Sequence, residues 1–169
     1  GMFCCLGPNA NPSLNERDLE TMRLFSNLAA QQIDKEYAHK RHLQEMRERI
    51  MDTLETNAFA IAYQPIVDLG QMHPSGYEAL CRFSAEPYRT PDVWFDEAAK
   101  VGLSVELELA SIRQAVEKIG EIAPDQYISV NVSPSTVISG QFAETFLKLP
   151  LDRILLEITE HAVIEDYDR

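Results

Sequence analysis

The sequence predicts an α/β fold in which a mostly parallel sheet or barrel opens with a β-hairpin and follows one long helix. Three observations carry this expectation. Residues 14–55 hold an apolar stripe at three- and four-residue steps with no Gly or Pro. From residue 58 the pattern changes to short apolar runs bounded by turn residues. Beyond the first two runs, helical and strand patterns alternate, as in a parallel sheet with helical crossovers. The chain has 169 residues, 45% hydrophobic and 25% charged, which is the mix of a soluble globular domain rather than a disordered one.

The elements follow in order. Met2–Leu6 reads as a short strand ahead of a Gly-Pro-Asn-Ala-Asn-Pro loop. A lone strand cannot bury itself, so it pairs elsewhere or is the tail of a domain. Ser13-Leu14-Asn15-Glu16 fits a capping box at the start of the long helix. Leu19, Met22, Phe25, Ala29, Ile33 and Tyr37, then Leu43, Met46, Ile50 and Leu54, form its stripe. Such a helix spans roughly 60 Å, and one this long packs against a copy of itself or links domains. Its charge-rich middle, Asp34–His42, is either its least packed stretch or a break into two helices. Phe59–Asp68 and Gly76–Phe83 read as strands joined by a turn over Leu69–Ser75, with Pro65 marking an end, an edge or a bulge. Pro91–Val101 and Leu103–Ile119 read as helices interrupted at Gly102, with Trp94 and Phe95 packing a helix on the sheet. Tyr127–Val132 is a strand ended by Ser133-Pro134, Gln141–Leu147 a short helix, and Ile154–Ile158 a strand.

Composition excludes several classes. A net charge of −12 argues against binding a nucleic-acid polymer, which needs a basic footprint. A small anionic ligand would need a metal ion or an arginine to overcome that field. No apolar run reaches the roughly 20 residues of a membrane span, and no secretory leader pattern is visible, so a cytoplasmic location is expected. Cys4, Cys5 and Cys81 have neither zinc nor disulfide spacing and read as reduced thiols. His39 and His42 sit beside Lys40 and Arg41 and read as a solvated basic face; Glu165, Asp166 and Asp168 read as a solvated helix start.

Three strand-borne oxygen donors stand out. In a strand, alternate side chains share a face. Glu78, Leu80 and Arg82 therefore lie together; so do Ser129 and Asn131; and Glu157 interrupts an apolar strand. A carboxylate there must be paired, protonated or metal-bound. Two carboxylates and an amide oxygen are the hard donors that Mg²⁺ or Mn²⁺ prefers. Spacing alone leaves the alternative open that neighbouring backbone or an arginine satisfies them.

The literal residues narrow the choice. Tyr63-Gln64-Pro65-Ile66-Val67-Asp68 and Gly76-Tyr77-Glu78-Ala79-Leu80-Cys81-Arg82, then Asn131-Val132-Ser133-Pro134 and Leu156-Glu157-Ile158-Thr159-Glu160, resemble in order the signatures of the EAL family of cyclic di-GMP phosphodiesterases. The resemblance covers residues 58–169 and implies a partial, TIM-like barrel with an antiparallel first strand. It implies that Glu78, Asn131 and Glu157 are metal ligands for Mg²⁺ or Mn²⁺, and that Glu160 steadies a catalytic loop. It places Gln64, Leu80 and Arg82 near the bound dinucleotide, with Arg82 meeting a phosphate. The implied reaction is metal-assisted hydrolysis of cyclic di-GMP to the linear dinucleotide, with Glu78, Glu157 and Glu160 as catalytic residues.

An aspartate pair, a lysine, a glutamate and a glutamine that the family carries on later strands are not among these residues. The chain alone is therefore expected to be inactive and to bind the dinucleotide weakly if at all. Glu108 and Ala110 stand where many relatives have Asp and Trp, a difference expected to affect packing only. Met2-Phe3-Cys4-Cys5-Leu6, Asn11-Pro12-Ser13-Leu14 and Ala29-Ala30-Gln31-Gln32-Ile33 resemble the end of a GAF sensor domain. The resulting organisation is a GAF-like remnant over 1–12, a signalling helix over 13–57 and half of an EAL domain over 58–169. Non-catalytic cyclic di-GMP binding and a dimerisation or regulatory role are the alternatives. A homodimer through the long helix is expected, or an edge-to-edge association of half-barrels.

Overall fold

The computed structural model describes Ser13, residues 15–147 and residues 149–158. The expected strand over Met2–Leu6, and with it the GAF-like remnant, lies outside the described residues, as do Cys4, Cys5, Glu160, His161 and the acidic tail. The chain divides into two compact units, residues 1–45 and 46–169.

Helix α1 runs Glu16–Thr56. No break occurs at Asp34–His42, because nothing in that stretch removes a backbone donor or demands an unusual φ. The capping box is displaced by two residues from the expected one. Asn15 Oδ1 accepts from the Arg17 and Asp18 N–H groups at 3.0 and 3.4 Å, while the Asp18 carboxylate accepts from Asn15 N–H at 3.0 Å. Asn caps as well as Ser does, and the acid three residues on completes the reciprocal pair. In the first unit α1 leaves Leu24, Phe25, Leu28, Ile33 and Tyr37 exposed; His39 and His42 are exposed, as the sequence suggests.

The second unit starts in the last turns of α1. Asn57, at φ 50°, ends the helix in the left-handed conformation that Asn tolerates, and Ala58 N–H returns to the Thr53 carbonyl at 3.0 Å. Strands β1 (Phe59–Asp68) and β2 (His73–Phe83) then form the antiparallel hairpin. The turn is tighter than expected, with Pro74 and Ser75 inside β2. A bulge opposite Ile66 and Val67 absorbs the extra residue. Pro65 lies on β1, the outer strand in the order β1-β2-β3-β4, so its missing N–H breaks no central ladder.

Helices α2 (Pro91–Lys100) and α3 (Ser104–Val116) follow, joined at Gly102, whose φ of 70° lets the Leu103 N–H reach back to the Ala98 carbonyl. A 3-10 turn (Glu117–Gly120) leads to β3 (Tyr127–Val132), which pairs parallel to β2. Two short helices, α4 (Pro134–Val137) and α5 (Gly140–Phe146), precede β4 (Ile154–Ile158), parallel to β3. Helix α4 was not foreseen; Ser133 caps it and Pro134 occupies its first turn. One face of the sheet (Phe59, Ile61, Cys81, Ile128, Val130 and Val132) packs under α2 and α3. Trp94 is fully buried and stacks on Phe83 at 5.0 Å, as its place in α2 suggests. The whole is an α/β, partial TIM-like barrel with an antiparallel first strand.

Candidate functional site

The opposite face of the sheet is polar. Register fixes which side chains share it: Gln64 stands beside Glu78, Glu78 beside Ser129, and Asn131 beside Glu157. Because side chains alternate, Gln64, Glu78, Leu80, Arg82, Ser129, Asn131 and Glu157 all project from this face. Asn131 and Glu157 occupy the penultimate residues of β3 and β4, at the C-terminal ends where barrel folds place their chemistry.

The sequence-predicted metal ligands are thus brought together on three adjacent strands. Asn131 Nδ2 donates to Glu78 Oε1 at 3.3 Å. Glu157 Oε1 accepts from the Ser129 hydroxyl, which is fully buried beneath it. Asn131 and Glu157 are exposed and Glu78 half-buried, so each keeps oxygen lone pairs open to a cation. The donor set, two carboxylates and an amide oxygen, suits a hard divalent ion. Among the described residues no group of three His, Cys, Asp or Glu side chains gathers for a metal, so the amide oxygen is needed to make up three ligands.

Gln64 is exposed, two residues along β1 from Ala62, which pairs with Leu80. Arg82 is exposed and donates Nη1 to the Cys81 carbonyl at 2.8 Å. Both Leu80 and Arg82 line a groove of about 470 Å³ at the ends of β2 and β3, closed by Pro91 and Phe95 of α2. Asn131 and Glu108 also reach it. A second cleft of about 610 Å³, formed by α3 and the end of α1, contains none of the sequence-predicted site residues.

Two contacts were missed by the sequence reading. Glu108 does more than pack: its Oε2 accepts from the Ser133 N–H at 2.8 Å and the Ser133 hydroxyl at 3.0 Å, holding the exit of β3. The contact spans 25 residues of sequence, and the distance from helix to strand end is not readable from spacing. Glu97 is buried between Arg49 of α1, at 3.0 Å, and Arg89 of the loop before α2. Cys81, also buried, has its thiol pushed up to about 11 by desolvation, with the Ser111 hydroxyl partly opposing the shift. Burial and hydrogen bonding to the Ala115 carbonyl leave the Tyr63 hydroxyl a donor; desolvation, then Glu117 and Glu121, raise its pKa.

The architecture defines a class: a partial α/β barrel with a reversed first strand, carrying Glu78, Asn131 and Glu157 on one face of three neighbouring strands. The chain belongs to the EAL domain family, which matches residues 47–169. The match begins inside α1, eleven residues earlier than the sequence resemblance suggests. The chain is 31% identical over 132 residues to a protein of Escherichia coli K12 described as probable cyclic di-GMP phosphodiesterase PdeB, covering 71% of this chain and 25% of that protein. The EAL domain of Xanthomonas citri FimX, solved in complex with c-diGMP, superposes with TM-score 0.62 at 20% identity, over 73% of this chain and 52% of that one. The YkuI protein of Bacillus subtilis, solved with c-di-GMP and calcium, superposes with TM-score 0.53 at 27% identity, over 69% of this chain and 32% of that one. The chain spans between a quarter and about half the length of these relatives. No helix among the described residues is long and apolar enough to cross a membrane.

Proposed function

We propose that this chain supplies the first half of a metal-dependent cyclic di-GMP phosphodiesterase site. The observation that carries the reading is the placement of Glu78, Asn131 and Glu157 on one face of three consecutive strands. These residues would hold Mg²⁺ or Mn²⁺, and such an ion would polarise a phosphodiester and provide a nucleophile at neutral pH. Arg82, which lines the groove, meets a phosphate of the dinucleotide; Gln64 and Leu80 lie near the dinucleotide; Glu160 takes the family's role of steadying a catalytic loop. The description of the E. coli relative and the c-diGMP complex of the X. citri domain support this substrate. Helix α1 acts as a signalling linker behind a GAF-like domain, in a cytoplasmic dimer.

The 169 residues alone are expected not to turn the substrate over, because the aspartate pair, lysine, glutamate and glutamine that the family carries on later strands are not among them, leaving two carboxylates and an amide on the described strands. That same count favours a second reading, binding of the dinucleotide without hydrolysis. Incubation with cyclic di-GMP and Mg²⁺ or Mn²⁺, followed by chromatography for the linear dinucleotide, tests both. Absence of product is expected. Product that disappears in Glu78→Ala would show that these residues make a working site and would overturn the claim of inactivity.

A further inference from the structure

We infer that Glu108 is a positioning residue for Asn131, acting through Ser133; the inference rests on the metal-ligand role proposed above for Asn131.

The geometry is a relay from a rigid helix to a strand end. Helix α3 is anchored by Leu107, Leu109 and Ile112, each almost fully buried. Glu108 lies between these anchors and is itself half-buried, so its carboxylate starts from a fixed base. One oxygen, Oε2, accepts from both the N–H and the hydroxyl of Ser133. Charge-assisted bonds of this kind are about twice as strong as neutral ones. Ser133 in turn caps α4, its Oγ accepting the Thr136 N–H at 3.3 Å. Two donors on one residue, immediately after the last residue of β3, fix the direction in which the chain leaves the sheet.

Asn131 lies two residues back on the same strand and holds Glu78 through Nδ2. Strand exits fray when their last N–H groups have no ladder partner, and Ser133 is beyond the register of β3 with β4, which ends at Val132 and Ile158. Glu108 supplies the missing acceptor. Without it, the end of β3 would lose its tether and Asn131 its constant position relative to Glu78. Gln, whose amide oxygen can accept both bonds though without the charge, should substitute where Ala cannot.

The test uses the whole chain and two readouts. Amide hydrogen exchange of Ser133 and the side-chain amide resonances of Asn131 are followed by ¹H–¹⁵N NMR, and Mn²⁺ affinity by electron paramagnetic resonance. Glu108→Ala, folded as judged by unchanged core resonances, is expected to exchange Ser133 at least about tenfold faster, to shift the Asn131 side-chain signals, and to weaken Mn²⁺ binding by about tenfold, the range seen for outer-shell partners of metal ligands. Glu108→Gln should restore all three. Ser133→Ala, which keeps the N–H, should fall between them, and it serves where Glu108→Ala does not fold. Unchanged Ser133 exchange in Glu108→Ala overturns the inference. So does faster exchange with unmoved Asn131 signals, which would leave Glu108 a prop for α4 alone. Failure of the wild-type chain to bind Mn²⁺ would instead defeat the metal role of Asn131, with the Asn131 and Ser133 signals still deciding the Glu108 relay.

Discussion

At the scale of single residues, Cys81 shows how position overrides chemistry. The thiol lies on the helix-packed face of β2, where desolvation disfavours the thiolate. Its folded-state value of about 11 lies above the ordinary thiol value of about 9. Below pH 9 the thiol is neutral in both states and costs nothing; as pH rises from about 9 to 11 the unfolded chain releases the proton first, so stability falls. Loss of roughly 2–3 kcal/mol across that window is expected from this group. Denaturant titrations at pH 8.5 and 10.5 check it, with Cys81→Ala reducing the pH dependence. Gly76 makes a second residue-scale case: a Cβ there would sit 2.6 Å from the Tyr127 carbonyl, so Gly76→Ala should push β2 from β3 and lower the melting temperature. Neither effect is legible in the sequence, because both depend on which strand becomes the neighbour. The alternation that put Glu78, Leu80 and Arg82 on one face was legible, since it needs only the period of two.

At the scale of elements, the periodic patterns identified each long helix and strand, and the errors cluster at ends. The N-cap of α1 moved from Ser13 to Asn15 because both residue types accept helix N–H groups and spacing does not choose between them. Turn chemistry placed Pro74 and Ser75 in a loop, whereas a bulge carries them into β2. The contact that ties the last turns of α1 to α2 was invisible for a different reason: Arg49 and Glu97 are far apart in sequence and ordinary in type. Glu97 is only 7% exposed, and removing its charge strands two arginines that are partly open to water. Discounting for that exposure, Glu97→Ala should cost about 2–3 kcal/mol, measurable by urea unfolding. A loss below about 0.5 kcal/mol would mean that the arginines find other partners.

At the scale of the whole molecule, the fold class was readable because four ordered signatures carry both topology and chemistry; assembly rests on the long helix. On the first unit the apolar stripe keeps Leu19, Phe25, Ile33 and Tyr37 exposed, along a helix of 41 residues. A dimer through this face is expected in sedimentation velocity at micromolar concentration, with Phe25→Asp combined with Ile33→Asp giving a monomer. A wild-type monomer under those conditions would remove the dimer from the functional scheme.

The central claim, that Glu78, Asn131 and Glu157 form one cation site, is tested most directly by titrating Mn²⁺ into the ¹⁵N-labelled chain and mapping paramagnetic broadening. With a net charge of −12, the chain offers many places for weak, scattered binding, so location decides the matter. Broadening centred on the middle of β2 and the ends of β3 and β4, and lost in Glu157→Gln, is the expected result. Broadening confined to exterior acids such as Glu117 and Glu121, and unaffected by Glu157→Gln, would contradict it.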